Sequence, residues 1–206
     1  MAMLLHPTYF PNISHFVAML KDNAITFEVC DNYQKQTFRN RCDIYSANGK
    51  LSLTIPVSYT QKKRQQYKDV EVSTTENWQL QHIKSLDSAY RMSPFYEFYI
   101  DDLVPLFQRK FKYLLDVNLK CFELLSECLE VSLDYKLTED FILPNTTEDD
   151  FRYLANSKKL PDLNFDTYTQ VFSEKHGYLS NLSILDLLFN EGPNSVNYLE
   201  NQIRHL

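Results

Sequence analysis

Glycine is nearly missing from this chain: only Gly49, Gly177 and Gly192 occur among 206 residues. A glycine-rich phosphate loop needs several glycines within a few positions, because the backbone must turn tightly and approach the anion closely. Neither G-x-G-x-x-G nor a Walker A sequence can be written here. Fourteen Tyr and fourteen Phe, with 44% apolar and 23% charged residues, describe a globular chain and argue against disorder. Size scaling buries roughly 70% of the surface of a chain this long, enough for a real core. One domain over residues 1–206 is the default, with a sheet-rich part (1–72) and a mainly helical part (73–206).

The formal charge of −6 removes general nucleic-acid binding, which needs a basic surface. No stretch reaches the roughly 18 apolar residues of a membrane span. His6, Pro7 and Pro11 interrupt the only early apolar run, so no secretory leader is read and a cytoplasmic location is expected. The four cysteines form no C-x-x-C. Cys121 and Cys128 lie seven apart on an expected helix, about 10.5 Å of rise and beyond disulfide reach. Free thiols are expected. The five histidines are scattered without H-x-x-x-H spacing, so no metal site is indicated, and no cofactor is identified.

Periodicity predicts a strand at Met3–His6, a rigid Pro7–Pro11 loop, and a helix capped by Asn12 with Ile13, Phe16, Val17 and Leu20 on one face. Strands follow at Ala24–Val29, then a hairpin of Thr37–Tyr45 and Leu51–Ser58 around Asn48-Gly49, then an edge strand at Asp69–Val72. Ser73-x-x-Glu76 fits a capping box for a helix to about Tyr90. Phe95 to Phe111 recurs at helical spacing, with Pro105 expected to break or kink it. Leu115–Val131 reads as a buried helix and Asp140–Lys159 as irregular. Short helices near Ser183–Asn190 and Ser195–Arg204 close the chain. The fold class is α/β, a mixed sheet formed largely by the N-terminal third and packed by helices, with a mainly helical C-terminal half.

Four places carry residues suited to chemistry. Strand, His6-Pro7-Thr8-Tyr9-Phe10-Pro11, helix is the arrangement at which α/β folds bind anions; His6 and His15 would face that crevice, or else form a rigid turn with one core and one surface histidine. Strand alternation puts Thr37, Arg39 and Arg41 on one face, where two arginines grip a diphosphate or carboxylate, or make cross-strand ion pairs. Trp78 and His82 lie one helical turn apart, with Tyr90 further along, as a ring-binding floor beside an imidazole or as core. Lys175-His176-Gly177 precedes Asp186, which sits among leucines and needs a partner such as Arg39, Arg41 or a helix N-terminus.

His6-Pro-x-Tyr9-Phe-Pro11, Phe38-Arg39-Asn40-Arg41, Leu53-Thr-Ile-Pro-Val57, Trp78-x-x-x-His82, Tyr90, Pro94-Phe95 and Leu182 to Gly192 together resemble the WbqC-like protein family. The resemblance implies a part in bacterial surface-polysaccharide (O-antigen) biosynthesis, with transfer of an acyl or aminoacyl group to an amino sugar as one suggested chemistry. It directs attention to Tyr9, Asn40, Gln170, Asn190 and Glu191 beside the residues above. The expected function is a soluble transferase acting on a small molecule, a nucleotide-activated sugar. Arg39 and Arg41 would hold the diphosphate, Trp78 or Tyr9 would stack on a ring, and His82, His176 or His6 would move protons, with Asn40, Tyr90, Gln170, Asp186, Asn190 and Glu191 contacting substrate. Nucleotidyl transfer, loosely suggested by Thr8, Pro11 and His15, is one alternative, and a non-catalytic scaffold of the same pathway is another. The basic run Lys62–Arg64 reads as a solvated edge or a lid. The aromatic content is compatible with a homodimer.

Overall fold

The computed structural model describes residues 3–22, 24–58, 64–144 and 149–206. Lys62 and Lys63 of the basic run lie outside these residues. Strand β1 (Met3–Leu5) leads through the Pro7–Pro11 loop into helix α1 (Ile13–Lys21), and β2 (Ala24–Phe27) returns parallel to β1. Asn12 caps α1 as expected: its Oδ1 accepts from the His15 N–H at 3.1 Å. Phe10 takes a left-handed backbone, φ 37°, an unfavourable conformation for a bulky residue. The loop is over-determined from outside: the Ser183 hydroxyl donates to Phe10 O, the Ile184 N–H to Pro11 O, and the Tyr67 hydroxyl to Pro7 O.

The hairpin is β3 (Arg41–Ser46) and β4 (Gly49–Thr54), with Gly49 at φ 93° where only glycine is unstrained. It starts four residues later than alternation predicts. Thr37–Asn40 form a turn, its Asn40 N–H donating to Thr37 O, so the common strand face of Thr37, Arg39 and Arg41 does not exist. The short antiparallel pair β5 (Val57–Ser58) and β6 (Glu71–Val72) is separate again.

Helix α2 (Trp78–Tyr90) is capped by Asn77, whose Oδ1 accepts from the Leu80 N–H. The capping box at Ser73 and Glu76 is not used. Helix α3 (Tyr96–Gln108) runs through Pro105 unbroken. The missing proline N–H falls in the last turn and frees the carbonyl of Asp101, an exposed residue that water can reach. Helix α4 (Leu114–Cys128) is the buried central helix, and β7 (Asp134–Leu137) follows it to pair parallel with β2. The expected mixed sheet is therefore split: a parallel sheet of order β1-β2-β7, whose third strand comes from the helical half, and two small antiparallel pairs. The α/β class and the helical C-terminal half stand.

Asp150 adds a parallel bridge on the outer side of β1, at Leu4. Four chain segments consequently leave the same end of the parallel sheet: His6 after β1, Glu28 after β2, Thr138 after β7 and Phe151–Arg152 after the bridge. A short helix α5 (Ser173–His176), then α6 (Ile184–Glu191) and α7 (Ser195–Gln202) complete the fold. Gly192 ends α6 at φ 54°, and a Cβ there would lie 2.5 Å from the Phe95 ring. The four cysteines are free.

Candidate functional site

Open α/β sheets bind ligands beyond the carboxyl ends of their parallel strands. A pocket of about 370 Å³ lies there. Its floor is built from His6, Asp31, Arg39, Asp150 and Arg152, and its mouth carries Gln34, Phe141, Pro144, Tyr153 and Asn156.

The floor is a network of buried charges. The Arg39 guanidinium donates from Nη2 to Asp31 Oδ2 at 2.8 Å and to His6 Nε2 at 2.7 Å. His6 Nδ1 lies 3.0 Å from Glu28 O. A carbonyl can only accept, so Nδ1 carries the proton and Nε2 offers its lone pair to Arg39. Burial and then the neighbouring Arg39 charge hold the His6 pKa well below the ordinary histidine value, which fits this neutral tautomer. Arg39 also lies over the Tyr67 ring, 5.5 Å from its centre. Its backbone carbonyl accepts from Asn118 of α4.

A second carboxylate clamps the loops around the floor. Glu28 is fully buried and accepts from the Cys30 N–H, the Thr138 hydroxyl and the Ile142 N–H at 2.8–2.9 Å. Arg152 reaches Glu28 at 3.5 Å, holds Asp150 through two bonds, and donates to Ile142 O at 2.7 Å. With every acid and arginine ionised, Glu28, Asp31 and Asp150 exceed Arg39 and Arg152 by one negative charge. Desolvation raises the Asp31 pKa, opposed by Arg39. Two buried atoms of the floor residues, Asp31 Oδ1 and Arg39 Nε, have no protein partner. Other buried atoms, such as His15 Nε2 and Asn40 Oδ1, are also unpartnered, but these two belong to residues that line an open pocket, where a ligand group or an ordered water would satisfy them.

Of the expected site residues, this pocket collects His6 and Arg39. Arg39 binds Asp31 and His6 through Nη2, and it does not share with Arg41 the strand face from which a diphosphate clamp was expected. Arg41 opens β3 opposite Thr54, away from the pocket wall, and Asn40 donates to Ile55 O. Tyr9, Trp78 and His82 form one buried aromatic cluster. The Tyr9 hydroxyl is 2.8 Å from His82 Nδ1, and Trp78 meets both rings edge-on. Burial depresses the His82 pKa to about 4. Its ring is closed off by core, and Trp78 and Tyr9 present no stacking face at the pocket.

Tyr90, Gln170, Asp186 and Asn190 gather in a different place. Asp186, fully buried, accepts from the Tyr90 hydroxyl at 2.8 Å, the Tyr168 hydroxyl at 2.6 Å and the Gln170 amide at 2.9 Å. The expected ion pair to Arg39 or Arg41 is replaced by these neutral donors. Asn190 donates back to Asp186 O along α6, and Glu191 accepts from Asn194 at the helix end. His176 is exposed beside the hairpin turn, its Nε2 2.9 Å from Ala47 O. His15 is enclosed: its Nδ1 lies 2.7 Å from Asn12 Oδ1, and burial lowers its pKa to about 3, so it does not face the crevice. That placement turns away from the crevice one of the three residues, with Thr8 and Pro11, that suggested nucleotidyl transfer.

Sequence reasoning missed Glu28, Asp31, Asp150, Arg152, Asn118 and Tyr67. Each is an ordinary polar or aromatic residue; Glu28, Asn118 and Tyr67 find partners far along the chain, and the Asp31–Arg39 and Asp150–Arg152 pairs meet only where the strand ends converge. One signal was available: Asp31 directly follows the strand-like run that begins at Ala24. Among the described residues no cluster of His, Cys, Asp and Glu could hold a metal ion. No described helix is long and apolar enough to cross a membrane.

Neither a curated protein nor a solved structure matches this chain. A sequence model of the WbqC-like protein family matches residues 6–161, about three quarters of the chain. That span begins at the pocket residue His6 and contains every residue lining the pocket, whereas the Asp186 cluster lies beyond it except for Tyr90. The chain belongs to the WbqC-like protein family.

Proposed function

We propose that this protein is a group-transfer enzyme of surface-polysaccharide biosynthesis, acting on an amine or hydroxyl of a sugar bound in the His6–Asp31–Arg39 pocket. One observation carries the reading: Asp31 stands in the pocket wall with a raised pKa and one oxygen that no protein group satisfies. An acceptor of that kind suits a sugar hydroxyl or amine, and a carboxylate with a raised pKa is suited to take its proton. As the sugar nitrogen or oxygen attacks the acyl carbon of a donor, its proton passes to Asp31. The bond from that carbon to the donor's leaving group then breaks, and the proton returns to the departing group.

Arg39 is a positioning residue here. It fixes Asp31 Oδ2; Oδ1 is unpartnered but enclosed, so it meets a substrate group once the carboxylate turns toward the pocket. His6 positions Arg39 in turn, because its protonated Nδ1 is tied to Glu28 O and its Nε2 can only accept. This moves the proton-transfer role from His82 and His176 to Asp31.

A thermal-shift screen against nucleoside diphosphate sugars, acyl-coenzyme A compounds and nucleoside triphosphates tests the reading. A ligand at about 100 times its Kd adds roughly 2.7 kcal/mol, a readily seen shift. A shift with a sugar or acyl compound that disappears in Asp31→Asn is expected. A shift confined to triphosphates and kept in Asp31→Asn would favour nucleotidyl transfer. No shift in folded protein would favour a scaffold without catalysis.

A further inference from the structure

The mouth of the pocket differs from its floor. Phe141 and Tyr153 line it, yet their side chains remain 47% and 44% exposed. Large aromatic rings left half open at the rim of a polar pocket offer flat apolar faces to a ligand. Both residues are adjacent in sequence to groups bonded into the floor. Phe141 precedes Ile142, whose N–H and C=O are bound by Glu28 and Arg152. Tyr153 follows Arg152 directly, and the Arg152 guanidinium lies 5.8 Å from the Phe141 ring centre. Gln34 and Asn156 add side-chain amides at the same mouth, each able to donate and accept.

Two kinds of ring could lie on this platform: the base of a nucleotide or a second sugar. Charge separates them. A diphosphate linking a sugar on the floor to a base at the mouth would pass a site that, with its acids ionised, already holds one negative charge in excess. Both its arginines are bonded to carboxylates. A neutral glycan brings no such charge. A pyranose also presents an apolar C–H face to an aromatic ring and hydroxyls to flanking amides.

The geometry points to an acceptor glycan of at least two sugar rings, with the reacting sugar on the Asp31 floor and its neighbour stacked on Phe141 and Tyr153. This rests on the reading of the floor as a sugar-transfer site.

The test applies the labelled full-length protein to an array of mono-, di- and oligosaccharides, with Phe141→Ala, Tyr153→Ala and Asp31→Asn beside the wild type. Wild-type signal roughly tenfold stronger on glycans of two or more rings than on their monosaccharides is expected. Phe141→Ala and Tyr153→Ala lower the longer glycans to the monosaccharide level, Phe141→Trp keeps them, and Asp31→Asn weakens all of them. Equal signals for mono- and disaccharides, unchanged by Phe141→Ala but lost in Asp31→Asn, overturn the platform and leave the floor reading standing. A nucleoside diphosphate sugar competing more strongly than the disaccharide, in a Phe141-dependent way, overturns the glycan assignment. Retention of no glycan by folded protein overturns both.

Discussion

Two buried carboxylates in this protein are handled in opposite ways. Asp186 of α6 sits in a closed cage of neutral donors from α2 and the 168–170 segment, and both its oxygens are satisfied. Asp31 sits beside an open pocket, paired with a buried arginine, with one oxygen unmet. A saturated cage ties elements together, and the Tyr45 N–H donating to the Tyr90 hydroxyl extends it to the hairpin. A charged pair with an unmet atom at a cavity wall is poorly explained by folding alone, since buried pairs contribute little net stability. Residue type does not distinguish the two carboxylates, and burial does so only in degree, Asp186 being fully enclosed and the Asp31 side chain 11% exposed. Their remaining hydrogen-bonding capacity does.

The largest expected effect comes from breaking the pocket's pair. Arg39→Ala leaves Asp31 and His6 without their common partner, so a loss of about 3–5 kcal/mol in denaturant unfolding is expected. A loss below about 1 kcal/mol would mean that the pair is dispensable to the fold.

His6 of the pocket and Asp186 of the cage should also answer pH with opposite signs, although Asp31, raised by desolvation, shares the sign of Asp186. His6 has a folded pKa below its unfolded value, so the unfolded chain binds more protons in acid. Its contribution is complete above about pH 6.5 and is lost as pH falls. Asp186 has a folded pKa raised by burial, so its contribution is present below the unfolded carboxylate value and is lost as pH rises through the folded one. The Tm difference between wild type and His6→Gln should therefore shrink from pH 7 to pH 5. The deficit of Asp186→Asn, about 1–2 kcal/mol in acid, should shrink or reverse toward neutrality. Profiles with the same slope would erase the distinction.

The smallest stability effect belongs to the pocket mouth. Phe141→Ala removes a half-exposed ring and should change unfolding stability by no more than about 0.5 kcal/mol while weakening ligand binding. A large stability loss would assign Phe141 to the core.

Local signals located much of the fold. The Asn12 cap, the hairpin turn, α4 and the closing helices follow from residues a few positions apart. Ser73 and Glu76 misled because Asn77 offers the same capping chemistry closer to the apolar face of α2. β7 was missed because four residues, Asp134-Tyr-Lys-Leu, gain strand character from a partner more than a hundred positions earlier. The same distance hid the site. His6 and Arg39 were visible as candidates, but Asp31, Glu28 and Arg152 acquire meaning only when the strand ends converge. His82 and Asp186 looked chemical in sequence because a polar residue among apolar ones implies a partner. For both the partners turned out to be tyrosine hydroxyls in closed surroundings.

Hydrogen–deuterium exchange of the protein with and without the tightest-binding glycan tests the central claim, that the working site lies at the carboxyl ends of the parallel strands. Protection concentrated in residues 28–39 and 149–156, with 168–190 unchanged, is the result this account predicts. Protection centred on 168–190, with the pocket segments exchanging as before, would contradict it.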